Sequence, residues 1–306
     1  MRALREVGRW FRSETYARHM RMKLAWLPEV LLVAAVVCVA YAPSRSGSAL
    51  SRQSTASPTV LPAGSVAPPV SCPTCWRPTT SSSWQVQFSG GLDLSVNADM
   101  FLVDTFDTPA SVVQQLHALG HKAICYIDAG TWERWRPDSA KYPTNLLGNA
   151  NGWSGERWLD IRDVSALAPV IEARLRLCKS KGFDGVLFDN VNGYTNNTGF
   201  PLTYQDQLRF NTFLANAAHS LQLSVGLLND FDQTSALEPY FDWAQVEQCF
   251  WYKECNLLQP FISAGKAVLA IEYDLQPQQY CPQARAMRIT AIRKHRNLDA
   301  YRVPCP

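Results

Sequence analysis

From Trp84 onward the chain alternates short apolar runs with amphipathic stretches, and this alternation restricts the fold more than any other feature. Runs of strand length occur at WQVQF (84–88), MFLVD (100–104), KAICYID (122–128), RWLDI (157–161), GVLFDN (185–190), SVGLLND (224–230), WAQVE (243–247) and AVLAIEYD (267–274). Between them, apolar residues recur at helical spacing over 108–119, 165–181, 203–221, 256–265 and 282–296. Gly120, Gly182 and Gly265 stand just past three of these helices, where a left-handed C-cap is wanted. Strands and helices interleaved in this way predict an α/β fold, a (β/α)8 TIM-type barrel of compact size over residues 84–306. A doubly wound open sheet is the competing arrangement, but no GxGxxG or GxxxxGK[ST] marks a nucleotide site.

The preceding residues have a different texture. Residues 43–83 are rich in Ser, Pro, Thr and Ala without apolar period, as expected of a disordered, partly extended linker. Residues 1–42 join a basic start to the apolar run VLLVAAVVCVAYA (30–42), too short to span a bilayer alone but long enough if counted from Leu24. A cleaved signal peptide and a retained membrane anchor both fit; Pro43, directly after Ala40-Tyr41-Ala42, favours the anchor. Either way residues 84–306 are expected outside the cell, secreted or tethered to its surface, and monomeric. Cys38 lies in the apolar run, and the other eight cysteines are an even set suited to disulfides in an oxidising compartment. Cys249 and Cys255 are near enough to close a small loop. Cys72-Pro-Thr-Cys75 resembles half a zinc site or a redox motif, but without a second CxxC a structural disulfide is expected.

Charge narrows the partners. Residues 1–45 hold eight Lys/Arg against three acids, so the basic pI of about 8.3 belongs to the N-terminal segment while residues 84–306 are net acidic. A nucleic-acid partner therefore has no basic patch to meet.

Nearly every expected strand ends in an acid: Asp104, Asp128, Asp160, Asp189, Asp230, Glu247, then Glu272 and Asp274. In a barrel the C-terminal strand ends meet at one mouth, where active sites sit. Carboxylates gathered there raise one another's proton affinity, so one can donate a proton while its neighbour stays ionised, as glycosidic cleavage requires. A lone strand-end Asp more often caps a helix or pairs with Arg; that role is expected for Asp104 and Asp163, and a cap or turn for Asp184. The five histidines show no HxxxH or HExxH spacing and no GxSxG elbow occurs, so neither a metal site nor a serine nucleophile is expected, and no cofactor. Aromatic residues, among them Trp132, Trp135, Trp153, Trp158, Tyr194, Trp251 and Tyr273, gather in the same strand–helix loops, some for the core and others to stack on sugar rings.

The segments YIDAGTWERWRPDSAKYP (126–143), GERWLDI (155–161), KGFDGVLFDNVNGYTNNTGFPLTYQDQL (181–208), LLNDFDQ (227–233), FDWAQVEQCFWYKEC (241–255) and GKAVLAIEYD (265–274) resemble, in order and spacing, glycoside hydrolase family 114, the endo-α-1,4-polygalactosaminidases. The resemblance implies a barrel enzyme that cuts a cationic amino-sugar polysaccharide, with the catalytic carboxylates on Asp189 and Glu247. Two positions depart from the family pattern: Leu228 stands where Lys is usual, and Asp128 where Ser is frequent. Tyr126, Asp128, Trp158, Asp160, Asn190, Tyr194, Asn229, Asp230, Glu272 and Tyr273 are the residues expected to bind substrate. A non-catalytic surface carbohydrate-binding barrel and a hydrolase of another amino-sugar polymer are the alternatives.

Overall fold

A computed structural model describes residues 66–306. The expected signal or anchor (1–42) and residues 43–65 of the expected linker lie outside the described residues. Among the described residues no helix is long and apolar enough to cross a membrane.

In chain order the strands are Trp84–Val86 (β1), Met100–Asp104 (β2), Lys122–Asp128 (β3), Thr131–Glu133 (β4), Leu147–Ala150 (β5), Glu156–Leu159 (β6), Gly185–Asp189 (β7), Ser224–Leu228 (β8), Trp243–Glu247 (β9), Val268–Glu272 (β10), Thr290–Arg293 (β11) and Val303–Pro304 (β12). Nine of them form one curled sheet, β1-β2-β3-β7-β8-β9-β10-β11-β12, parallel except where β12 joins β11. The main helices between them are Ala110–Ala118 (α1), Val164–Lys181 (α2) and Tyr204–Ser220 (α3), followed by short turns of helix and by Pro277–Met287. Asp163 caps α2 by accepting from the Ala166 N–H at 3.0 Å. Gly120, Gly182 and Gly265 all carry positive φ.

The period of two along each strand sorts side chains to the sheet's two sides. One side holds Trp84, Val86, Met100, Leu102, Ile124, Leu187, Leu228, Trp243, Leu269, Ile271 and Ile292, an interior apolar cluster. The other side packs on the helices through a larger cluster that includes Val103, Val186, Phe188, Val225, Val246 and Ala270. The two ends of the curl are bridged: Phe88 N donates to Leu298 O at 2.8 Å, Trp84 Nε1 to Thr290 O at 3.1 Å, and Lys294 Nζ to Gln85 Oε1 at 3.1 Å.

Two expected elements change. RWLDI does not join the large sheet; Glu156–Leu159 pairs antiparallel with β4 and β5 in a separate three-stranded sheet inserted between β3 and α2. The eighth parallel strand is instead Thr290–Arg293, in the segment expected to be the end of a helix. That helix stops at Met287 with Arg288 left-handed at φ 58°, and the alternating Thr290-Ala291-Ile292 then continues as strand.

The expected linker boundary after residue 83 also moves. Residues 66–83 are packed on α3 and on the segment just before β9: Tyr240 donates to Ala67 O at 2.8 Å, Val70 N to Asn216 Oδ1 at 2.8 Å, and Arg77 Nε to Asp242 Oδ1 at 2.6 Å. Trp76 reaches the interior cluster. Among the described residues four disulfides form, Cys72–Cys75, Cys125–Cys178, Cys249–Cys255 and Cys281–Cys305. Cys125–Cys178 ties β3 to α2.

Candidate active site

Strands β7 and β9 share a burial pattern: four buried residues, then a carboxylate that is partly exposed. These carboxylates are Asp189 and Glu247. By strand parity both stand on the interior side, directly above Leu187 and Gln245, so each is presented at the mouth of the curl rather than into the helical layer.

Each carboxylate takes one hydrogen bond from a tyrosine on a neighbouring strand or just beyond its end. Tyr126 on β3 donates to Asp189 Oδ2 at 2.6 Å, and Tyr273, just past β10, donates to Glu247 Oε1 at 2.5 Å. Asp189 Oδ1 accepts the Asn190 N–H at 2.6 Å. Asn229 brackets Glu247, its Oδ1 accepting the Glu247 N–H at 2.9 Å and its Nδ2 donating to Oε2 at 3.3 Å. Burial raises the proton affinity of Asp189, opposed by the Tyr126 and Asn190 bonds. Burial also raises that of Glu247, opposed by Tyr273 and reinforced by the charge of Asp189. Both phenols are pushed well above their ordinary range, chiefly by burial.

The backbone turns sharply where these side chains are set. Asn190, Asn229 and Gln248, the residues that follow β7, β8 and β9, have φ of 57°, 55° and 56°. Left-handed non-glycine residues cost roughly 1 kcal/mol each. Asn tolerates the conformation best, and two of the three are Asn whose amides also bond site carboxylates.

A second acidic group adjoins the first. Asp128 pairs with Asp189 across the β3–β7 ladder, and Asn190 Nδ2 donates to Asp128 Oδ2 at 2.8 Å. Asp128, Glu133 and Glu156 bring one oxygen each within 4.8 Å of one another, close enough to share a cation. Glu133 is matched by Arg136 at 2.8 Å and Arg174 at 3.7 Å. Asp128 and Glu156 have neutral partners, Thr131, Asn190 and Asn151. Burial, then Asp189 and Glu156, drives the proton affinity of Asp128 well up, and burial lifts Glu156 to about 7.

Other expected site residues lie elsewhere. Glu272 is of opposite parity to Tyr273: it is 0% exposed, faces the helical layer and accepts the Phe250 N–H at 2.9 Å, so it cannot touch a ligand at the mouth. Asp160 lies beyond the inserted β6 and chelates Arg162 at 2.6 Å. Asp230 is buried, held by Asn211 at 2.9 Å and Tyr194 at 3.4 Å, so both it and the Tyr194 hydroxyl brace the loop. Trp158 is buried under Gly193 in the same region. Asp104 pairs with Arg136 at 2.6 Å, the structural role expected of it, and Asp184 accepts from Lys122 and the Ala123 N–H. Glu156 and Glu133 were missed, because their strands belong to the inserted antiparallel sheet and end in no apolar run. A groove of about 520 Å³ beside Asp232 and Leu257 contains neither Asp189 nor Glu247 among its walls.

A curled parallel sheet with two partly exposed carboxylates on separate strands at one end is the construction of a glycosidase. The chain belongs to glycoside-hydrolase family GH114, whose profile matches residues 66–306. It is similar to Aspergillus fumigatus Ega3, solved in complex with galactosamine, at 34% identity and TM-score 0.73 over 78% of this chain and 99% of that one. The glycoside hydrolase domain of PelA from Pseudomonas aeruginosa shares the fold at 14% identity and TM-score 0.58, over 72% of this chain and 98% of that one. No curated protein matches the chain.

Proposed function

We propose that this protein is an exported, endo-acting hydrolase of α-1,4-linked galactosamine polymers, built on a (β/α)8 barrel. The observation that carries the reading is the pair Asp189 and Glu247, each the single partly exposed residue of its strand and each held by one tyrosine. Galactosamine in the related Ega3 supports the sugar, and four disulfides support export.

In this reading Asp189 supplies the negative charge, as nucleophile or as stabiliser of the positive charge that develops on the sugar. Both of its oxygens already accept hydrogen bonds, which favours the ionised form. Glu247, with its proton affinity raised by burial and by Asp189, protonates the leaving oxygen and then activates water. Asp128 and Glu156, whose hydrogen-bond partners are neutral, lose their protons beside the ammonium groups of unacetylated sugars, because a nearby cation favours the charged carboxylate, and then hold those groups by charge. Tyr126, Asn190, Asn229 and Tyr273 hold the two carboxylates in place.

A substrate panel tests this. Reducing ends should appear with polygalactosamine and be far fewer with chitosan or a fully acetylated control. Preferential cutting of chitosan would move the assignment to another amino-sugar polymer, and retention of polymer without any cleavage would make the barrel a carbohydrate-binding one.

A further inference from the structure

The inserted antiparallel ribbon of β4 and β6 leads away from the acids. Residues directly opposed in an antiparallel pair share a face. Thr131 opposes Trp158 and Glu133 opposes Glu156, so these four line one face, and the Thr131 hydroxyl donates to Asp128 Oδ2 from it. Thr131, Trp158 and Glu133 are buried and Glu156 is partly exposed, whereas Trp135 and Trp153, past the ends of the two strands, are 53% and 45% exposed.

The backbone of both tryptophans is tied into one turn. Arg134 N donates to Gly155 O at 3.0 Å and Glu156 N to Trp153 O at 3.1 Å. The Trp135 ring lies against Gly155, whose φ is +90°; a Cβ there would stand 3.2 Å from Trp135 Cζ3. A single exposed apolar side chain needs no explanation, but two tryptophans set on one turn at the end of an acidic track make a patch.

We propose that Trp135 and Trp153 form a stacking platform for sugar rings of the polymer outside the cleaved linkage. The track runs from Asp189 through Asn190 to Asp128 and Glu156, each step a hydrogen bond or a close pair of carboxylates, and ends on the indoles. Trp135 stands past the end of β4, on the turn that Arg136 N closes on Glu133 O at 3.2 Å, so the platform lies beyond the acids and meets a different sugar from the one at the carboxylates. Its occupant is a cationic polysaccharide: acids attract its ammonium groups, while indole faces take both the apolar faces of the rings and the amines above them. The inference rests on the function proposed above.

The test is kcat/KM on a chain-length series of α-1,4-galactosamine oligomers and on the polymer, for the unaltered protein, Trp135→Ala, Trp153→Ala, the double variant and the matching Phe variants. The double Ala variant should lose about tenfold on the polymer and less than about twofold on the shortest oligomer that is cut, with Phe restoring most of the loss. Equal losses at every length, or none on the polymer, would overturn the platform while leaving the hydrolase intact. If the unaltered protein cuts nothing in the series, the function and the platform fall together.

Discussion

At the scale of single residues, the site is two carboxylates and the phenols that hold them. A hydrogen bond from a neutral donor favours the charged form of a carboxyl. Removing the Tyr273 hydroxyl therefore raises the proton affinity of Glu247, and removing that of Tyr126 raises that of Asp189. In its proposed role of general acid Glu247 must be protonated, so Tyr273→Phe should move the alkaline limb of the kcat/KM profile to higher pH. In its proposed role Asp189 must be ionised, so Tyr126→Phe should move the acid limb to higher pH. A pH profile of each variant checks this; a lowered plateau with unmoved limbs would reduce the tyrosines to packing. That Asp189 and Glu247 end their strands was legible in the sequence because each closes an apolar run. Glu272 ends one too, yet one residue of strand parity turns it to the helical layer.

At the scale of elements, most strands and helices were readable from apolar period, and the errors have physical reasons. RWLDI reads as a strand and is one, but periodicity does not say which sheet a strand joins. TAIR was absorbed into a helix because nothing breaks the apolar spacing between Met287 and Ile292; the break is the left-handed Arg288, which no glycine announces. Among the described glycines, Gly130 leaves the least room for a side chain, just past the ends of β3 and β7. Ala129 N and Gly130 N both donate to Asp189 O, and a Cβ on Gly130 would stand 1.8 Å from Asn190 O. Gly130→Ala must therefore displace the loop that carries Asn190 and shift Asp189. A displacement near 1 Å costs about a hundredfold in rate. Activity should fall by about that factor while the variant, followed by circular dichroism, keeps its folded spectrum; full activity would contradict the contact.

At the scale of the whole molecule, disulfides and the docked residues 66–83 hold a fold whose buried acids oppose it at high pH. Glu272 is buried with one oxygen unpartnered, and its proton affinity is raised to about 7 by burial. The folded state therefore binds this proton at pH values where the unfolded chain, near pH 4.3, has lost it. Its contribution is favourable below that unfolded value and fades as pH rises through about 7. Glu272→Gln, a neutral isostere, should flatten the fall in Tm between pH 5 and pH 8; an unchanged slope would place that dependence on other acids. The whole account rests on Asp189 and Glu247 acting together on a bound chain. The most direct measurement is hydrolysis and binding of polygalactosamine by Asp189→Asn and Glu247→Gln. Each variant should keep binding the polymer and lose about 10²–10⁴-fold in kcat. Either variant cutting as fast as the parent would contradict the account.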